Sequence, residues 1–226
     1  MRESLLVLSI ITFLDPAILF LNCYTSLTYG IYYSFFEAFP IVYQGMYGFN
    51  LGQMGAAFLA IVVGTIISFV IYNIYIHKTH VPRSRSQKTP TKPETVLIPA
   101  LFACSGPSIG LFLFGWTACP GIHWIMLTIG IVIYPACVLI LMQCVFLYIP
   151  GCYPQYAASV FAATDFTRSA FACGAVIFLR PLYLNLGVGR GCSLLAGLTI
   201  GCVLGIYLLF HYGEALGRRS RFVAKW

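Results

Sequence analysis

Six long apolar runs, separated by short polar or basic connections, fill most of the chain: residues 16–43, 54–76, 96–117, 122–149, 157–182 and 192–212. Each reaches the roughly 20 residues that carry a helix, at about 1.5 Å per residue, across the hydrocarbon of a bilayer. A spanning backbone must satisfy its own N–H and C=O groups in lipid, which favours helices over open strands. The pattern predicts an all-α membrane protein of six transmembrane helices, with 16–212 as the membrane domain. Ahead of it, residues 4–14 are apolar but too few to cross, and Asp15 and Pro16 close the run. Arg2 in front of that run is how a signal peptide begins, yet no small-x-small cleavage site follows. Residues 1–15 are therefore expected to lie as an interfacial segment on the cytoplasmic face.

Composition removes alternatives. Hydrophobic residues make up 60% of the chain and charged ones 8%. A soluble domain carries roughly 25% charge, so these charges are too few to cover a water-exposed surface. Positive charge then sets the orientation, because cytoplasmic connections near span ends carry the excess of Lys and Arg. Of the 13 basic residues, ten fall on one side: Arg2, then Lys78, Arg83, Arg85, Lys88 and Lys92, then Arg218, Arg219, Arg221 and Lys225. The other side has Arg180 and Arg190, while Arg168 lies inside the fifth run. Both termini, the loop 77–95 and the basic tail 213–226 are expected in the cytoplasm, and the plasma membrane is the expected location. A formal charge of +7 then reads as attraction to an anionic inner leaflet. Nucleic acid is not an expected partner, because the charge sits on no folded soluble scaffold.

The loop 77–95, rich in Pro, Ser, Thr, Lys and Arg, lacks the apolar residues needed to fold. His77 and His80 flank Lys78 there, but two His without a third ligand do not make a metal site. No metal or cofactor is expected. The nine cysteines include no C-x-x-C pair and sit mainly in the apolar runs, where Cys acts as a small buried hydrophobe.

Polar residues inside the runs are the candidates for function. Asn22, Ser26, Tyr29, Tyr33 and Glu37 recur every three or four positions, so on a helix they share one face. Such a stripe needs a wet or protein-lined neighbour. Glu37 stands roughly 30 Å along its helix, near the outer boundary, where it is either a structural anchor beside Pro40 or part of a substrate or proton pathway. Asp165 and Arg168 are three residues apart, close to the middle of the fifth run, and can pair on one helix surface. Pairing offsets part of the cost of placing both charges in lipid, and the pair is either a static packing lock or a proton or cation exchanger. Gly197, Gly201 and Gly205 recur every four residues and are expected to form a smooth helix-packing face. Trp116, Trp124 and Tyr134 are candidates for lining a cavity or for an interfacial belt, and Pro135 is expected to kink the fourth helix.

The sequence also carries a resemblance. Tyr24-Thr25-Ser26-Leu27-Thr28-Tyr29-Gly30 through Ser34-Phe35-Phe36-Glu37-Ala38-Phe39-Pro40, then Gly48-Phe49-Asn50-Leu51-Gly52, resembles the seventh span and following loop of the fungal twelve-span drug:proton antiporters of the major facilitator superfamily, which include polyamine and multidrug exporters. Phe114-Gly115-Trp116-Thr117 with Ile122-His123-Trp124, and Phe166-Thr167-Arg168-Ser169, are similar to later parts of that family in the same order. So is the tail from Tyr212-Gly213-Glu214 to Arg221-Phe222. The resemblance implies the C-terminal half of such a carrier. Thr164-Asp165-Phe166-Thr167-Arg168-Ser169 departs from the family's usual Asn-Thr-Phe-Leu-Arg-Ser by introducing an acid.

Gly106-Pro107-Ser108-Ile109-Gly110 fits the nucleophile pattern G-x-S-x-G, but a serine hydrolase needs a histidine beside that serine. His123 follows an outer junction and His211 lies near the far end of the last run, so no enzyme is expected, and Ser105 to Gly110 reads as a kink and packing element. The expected function is proton-coupled export of drugs, polyamines or similar small molecules, with the bilayer, substrate and proton as partners. It needs an N-terminal half or self-association. The alternative is a truncated, non-transporting membrane fragment acting in interaction or assembly.

Overall fold

The computed structural model describes residues 16–80, 96–152 and 154–219. All regular structure among them is helical: α1 Pro16–Phe39, α2 Leu51–Tyr75, α3 Ile98–Ala103, α4 Gly106–Thr117, α5 Trp124–Cys152, α6 Ala157–Leu186 and α7 Val188–Arg219, with π-helical turns Pro40–Gln44 and Ile76–His80 continuing α1 and α2. The proposed interfacial segment 1–15 and most of the basic loop lie outside the described residues. Asn50 starts α2 as a capping box: its side chain accepts from the Gln53 backbone while the Gln53 side chain accepts from the Asn50 N–H. Gly187, at φ +79°, makes the turn from α6 into α7, a conformation open to glycine at little cost.

Among the described residues, five helical stretches are long and apolar enough to cross a membrane: Leu51–Thr79, Ile98–Thr117, Trp124–Cys152, Ala157–Leu186 and Val188–Leu208. The second runs through the short break between α3 and α4, where Pro107 has no N–H to offer the Ala103 carbonyl. The first expected span, α1, is long enough at 24 residues but is not among the five. Its Asn, Thr, Ser and Tyr content lowers its apolarity, and it compensates by packing against α6 and α7. The outward face of α2, with Leu59, Ile66, Phe69 and Ile74 exposed, is the surface that lipid has to cover.

Lipid is as apolar as these side chains, so burial between helices supplies little drive and close contact has to do the holding. α4 packs between α5 and α7, and α2 lies along α5. Gly110 and Gly130 let α4 and α5 meet backbone to backbone: a Cβ on Gly130 would stand 2.7 Å from the Gly110 carbonyl oxygen and 2.8 Å from the Phe114 nitrogen. Gly64 lies just as close to the Val132 carbonyl, joining α2 to α5, and Gly106 abuts the Cys137 thiol. The Ser105 to Gly110 segment is thus a helix break and packing element. Hydrogen bonds between helices add to this: the Tyr134 hydroxyl donates to the Thr28 carbonyl at 2.8 Å, Tyr183 to Ser34 at 3.0 Å, and Ser108 and Thr199 share one at 2.8 Å. Such bonds contribute about 0.6 kcal/mol each on average in membrane helices. An aromatic cluster of Phe35, Phe39, Phe58, Phe114 and Tyr134 fills one end of the bundle, with ring centroids 4.3 to 6.4 Å apart. At the other end Ile18, Tyr24, Tyr72, Leu141, Tyr148 and Ile206 pack together.

Candidate functional site

α1 and α6 run parallel and side by side, and the polar residues of both meet along their seam. At one end the Thr164 hydroxyl donates to Asn22 Oδ1 at 2.6 Å. At the other, Arg180 Nε stands 3.8 Å from Glu37 Oε2. Between them the Arg168 guanidinium lies over the Tyr29 ring, 4.6 Å from its centroid, a cation–π geometry. Arg168 Nη2 also pairs with Asp165 Oδ1 at 3.0 Å, one helical turn back. Tyr29 and Tyr33 share a hydrogen bond between their hydroxyls at 3.3 Å.

The expected face of α1 is divided by this packing. Asn22 and Ser26 turn into the seam and are buried, whereas Tyr29, Tyr33 and Glu37 remain partly open. Asp165 and Arg168 do pair, as their spacing predicts, but unequally: the Arg168 side chain is 22% exposed and that of Asp165 is 58% exposed on the open face of α6. The pair stands about 12 to 17 Å along α6, on the Ala157 side of its middle and nearer that middle than the end. Two buried donors, Asn22 Nδ2 and Arg168 Nε, have no hydrogen-bond partner among the described residues. A groove of about 240 Å³ opens between the same helices, lined by Tyr29, Tyr33, Ser169, Ala172, Cys173 and Val176.

Other expected residues fall elsewhere. The stripe Gly197, Gly201 and Gly205 does not form one packing face within this chain: Gly205 abuts the Phe20 ring, while Gly197 and Gly201 look outward with nothing within 4 Å of a Cβ. The reason is the rotation of α7, which turns Cys192, Ala196 and Thr199 inward instead. Trp116 donates to Ser193 at 3.0 Å and Trp124 stacks edge-on with Phe49, so both tie helix ends together, and Tyr134 is buried in the core. Ser108 meets Thr199, so the G-x-S-x-G serine is part of the α4–α7 contact. In the loop after α1, the Tyr47 hydroxyl sits 2.9 Å from the carbonyls of both Cys119 and Ile122. Burial pushes the Tyr47 phenol up from its ordinary range, so it stays a neutral donor there.

Sequence reasoning missed Thr164, Arg180, Ser169 and Cys173. Thr164 sits four residues before Arg168 and so shares its face, a signal present in the helical spacing. Arg180 carries no such signal, because its place opposite Glu37 requires knowing that α1 and α6 are parallel neighbours in register.

Known proteins are similar in sequence to this chain. The chain is 44% identical over 211 residues to the MFS-type transporter pyvG of Aspergillus violaceofuscus, covering 93% of this chain and 39% of that protein. It is 39% identical over 213 residues to Fluconazole resistance protein 1 of Saccharomyces cerevisiae, covering 92% and 38%. Against the Cycloheximide resistance protein of Candida maltosa the identity is 34% over 218 residues, covering 94% and 39%. The chain spans less than half the length of these curated relatives. No family model matches it, and no solved structure matches it.

Proposed function

The chain belongs to the fungal multidrug transporters of the major facilitator superfamily, a family of carriers and not of enzymes, and from that premise we propose that it forms the C-terminal wall of a proton-coupled exporter of drug-like molecules. α1 is the first of its six spans, both termini are cytoplasmic, and the carrier works in the plasma membrane. The observation that carries this reading is the α1–α6 seam, where an acid–base pair and two unpartnered donors lie on the same two helices as an open groove lined by Tyr29 and Tyr33. Ionisable residues inside a membrane are costly and, where present, mark substrate or ion pathways. Two of the relatives are named for resistance to fluconazole and to cycloheximide, which fits a carrier for compact organic molecules.

Asp165 is the proton-handling group and Arg168 the charge that holds it. A proton arriving at Asp165 removes its negative charge and loosens the pair, freeing the guanidinium to swing on the Tyr29 ring. Carriers of this kind bind substrate between two halves that rock about the midplane. The groove here is open on one side, and a matching N-terminal half, or a second copy of this chain, supplies the opposite wall. The test is accumulation of radiolabelled fluconazole in yeast lacking its own drug exporters. Cells making the chain together with the N-terminal half of the Saccharomyces relative should hold less drug than cells making either part alone. Equal accumulation in all three, with both parts present in the membrane, would overturn the export reading.

A further inference from the structure

A second groove, of about 440 Å³, lies between α6 and α7 along α1. Gly30 of α1, which is buried, lines it together with the exposed Phe171, Gly174 and Phe178 of α6 and Leu194 and Leu198 of α7. All twelve lining residues are Gly, Ala, Leu, Ile or Phe, so no side chain there offers a hydrogen bond and a polar solute gains nothing by entering. On α6 the lining runs from Ala170 to Leu179. That is about 14 Å of helix, close to half of the roughly 30 Å hydrocarbon core and so to the depth of one leaflet.

The surface changes character at the α6–α7 turn. Asn185 follows Phe178 by seven residues and Arg190 precedes Leu194 by four, so each continues the groove-bearing side of its own helix. Neither lines the groove; both are exposed beyond its end. Side chains on a helix lean towards its N-terminus, so Arg190 reaches away from the apolar lining towards the headgroup level. It has no ion-pair partner among the described residues, whereas Arg180, on another side of α6, stands beside Glu37. An apolar groove one leaflet deep with an unpaired guanidinium a turn past its end fits a hydrocarbon chain joined to a phosphate. A sterol brings the hydrocarbon without the anion. A second copy of this chain inserted in the same sense would bring a second Arg190 to the same level.

We propose that this groove holds one acyl chain of a phospholipid, with Arg190 pairing with the lipid phosphate and Asn185 donating beside it. The lipid fills the space between α6 and α7 and ties the two helices together. The site needs the chain in a bilayer and no substrate, so it stands apart from the export reading.

Native mass spectrometry of the full chain released from micelles counts the bound lipid. Palmitoyl-oleoyl phosphatidylcholine should bind at one molecule per chain, and the diacylglycerol with the same tails about tenfold more weakly. Arg190→Gln should bring phosphatidylcholine down to the diacylglycerol level and leave diacylglycerol itself unchanged. Gly174 has nothing within 4 Å of a Cβ, so in Gly174→Leu the new side chain enters the groove without a clash. It should weaken both lipids by about tenfold or more. Gly197→Leu, the same change at an equally open position that does not line the groove, should leave binding as it is. Undiminished phosphatidylcholine binding in Gly174→Leu or in Arg190→Gln overturns the proposal. So does cholesterol binding in preference to phosphatidylcholine, or a dimer of the parent chain that Gly174→Leu dissolves.

Discussion

Replacing Asn22 by Leu should stabilise the chain and damage its function. Asn22 is 4% exposed, and its side chain makes one hydrogen bond, with Thr164, and leaves Nδ2 unpartnered among the described residues. Leu has the same branching and number of side-chain heavy atoms, so the seam stays filled, its methyl groups being bulkier than the amide oxygen and nitrogen. The substitution loses the Thr164 contact, worth about 0.6 kcal/mol in a membrane protein. It leaves no new orphan, because the Thr164 hydroxyl still reaches the Val160 carbonyl at 2.9 Å. It also removes a buried, unsatisfied donor, whose cost is about 1 to 3 kcal/mol. The balance is a gain of roughly 0.5 to 2 kcal/mol, which is the signature of a polar group kept for use and not for folding. Reversible unfolding of Asn22→Leu and the parent chain in mixed micelles, followed by tryptophan fluorescence, measures the difference. Destabilisation by more than about 1 kcal/mol would show that Asn22 has a structural role larger than its single bond.

Three further outcomes follow from the packing and the charge pattern. Gly130→Ala should destabilise by about 1 to 3 kcal/mol in the same unfolding assay, since its Cβ meets backbone at 2.7 and 2.8 Å that cannot move without parting α4 from α5; Gly197→Ala, with open space around it, should change little. Tyr47→Phe should cost about 1 kcal/mol. Because the folded phenol is raised, the Tyr47 contribution should be constant up to about pH 9 and decline only above the ordinary Tyr value near 10. Ser86→Cys in a background stripped of native thiols should be labelled by an impermeant maleimide only after the cell is opened, and labelling of intact cells would reverse the topology.

Much of the fold is written in the apolar runs, since lipid dictates both helix and length. The α-helical membrane class and five spanning stretches were legible for that reason. The α1 span was harder: its polar residues belong to the seam with α6, so the residues that suggest function are the same ones that dilute the membrane signal. Spacing predicted the Asp165–Arg168 pair because the contact is local, one turn apart on a single helix. It did not predict Thr164 opposite Asn22 or Arg180 opposite Glu37, which depend on which helices are neighbours. The glycine stripe on α7 does not make one packing face within this chain for a related reason. A four-residue repeat marks a smooth face but not its direction, and Gly110 and Gly130, which do bring backbones together, belong to different helices and show no repeat as a pair.

We propose that Asp165 handles the proton that drives transport, and the most direct test is drug export across a pH series with a matching N-terminal half restored. Asp165→Asn keeps the size and removes the protonatable group, so export normalised to surface expression should lose its pH dependence. Arg168→Ala should be worse at every pH, because it takes the partner from the acid and the cation from the Tyr29 ring. Full activity with an unchanged pH profile in Asp165→Asn would contradict the account and reduce the pair to a structural contact.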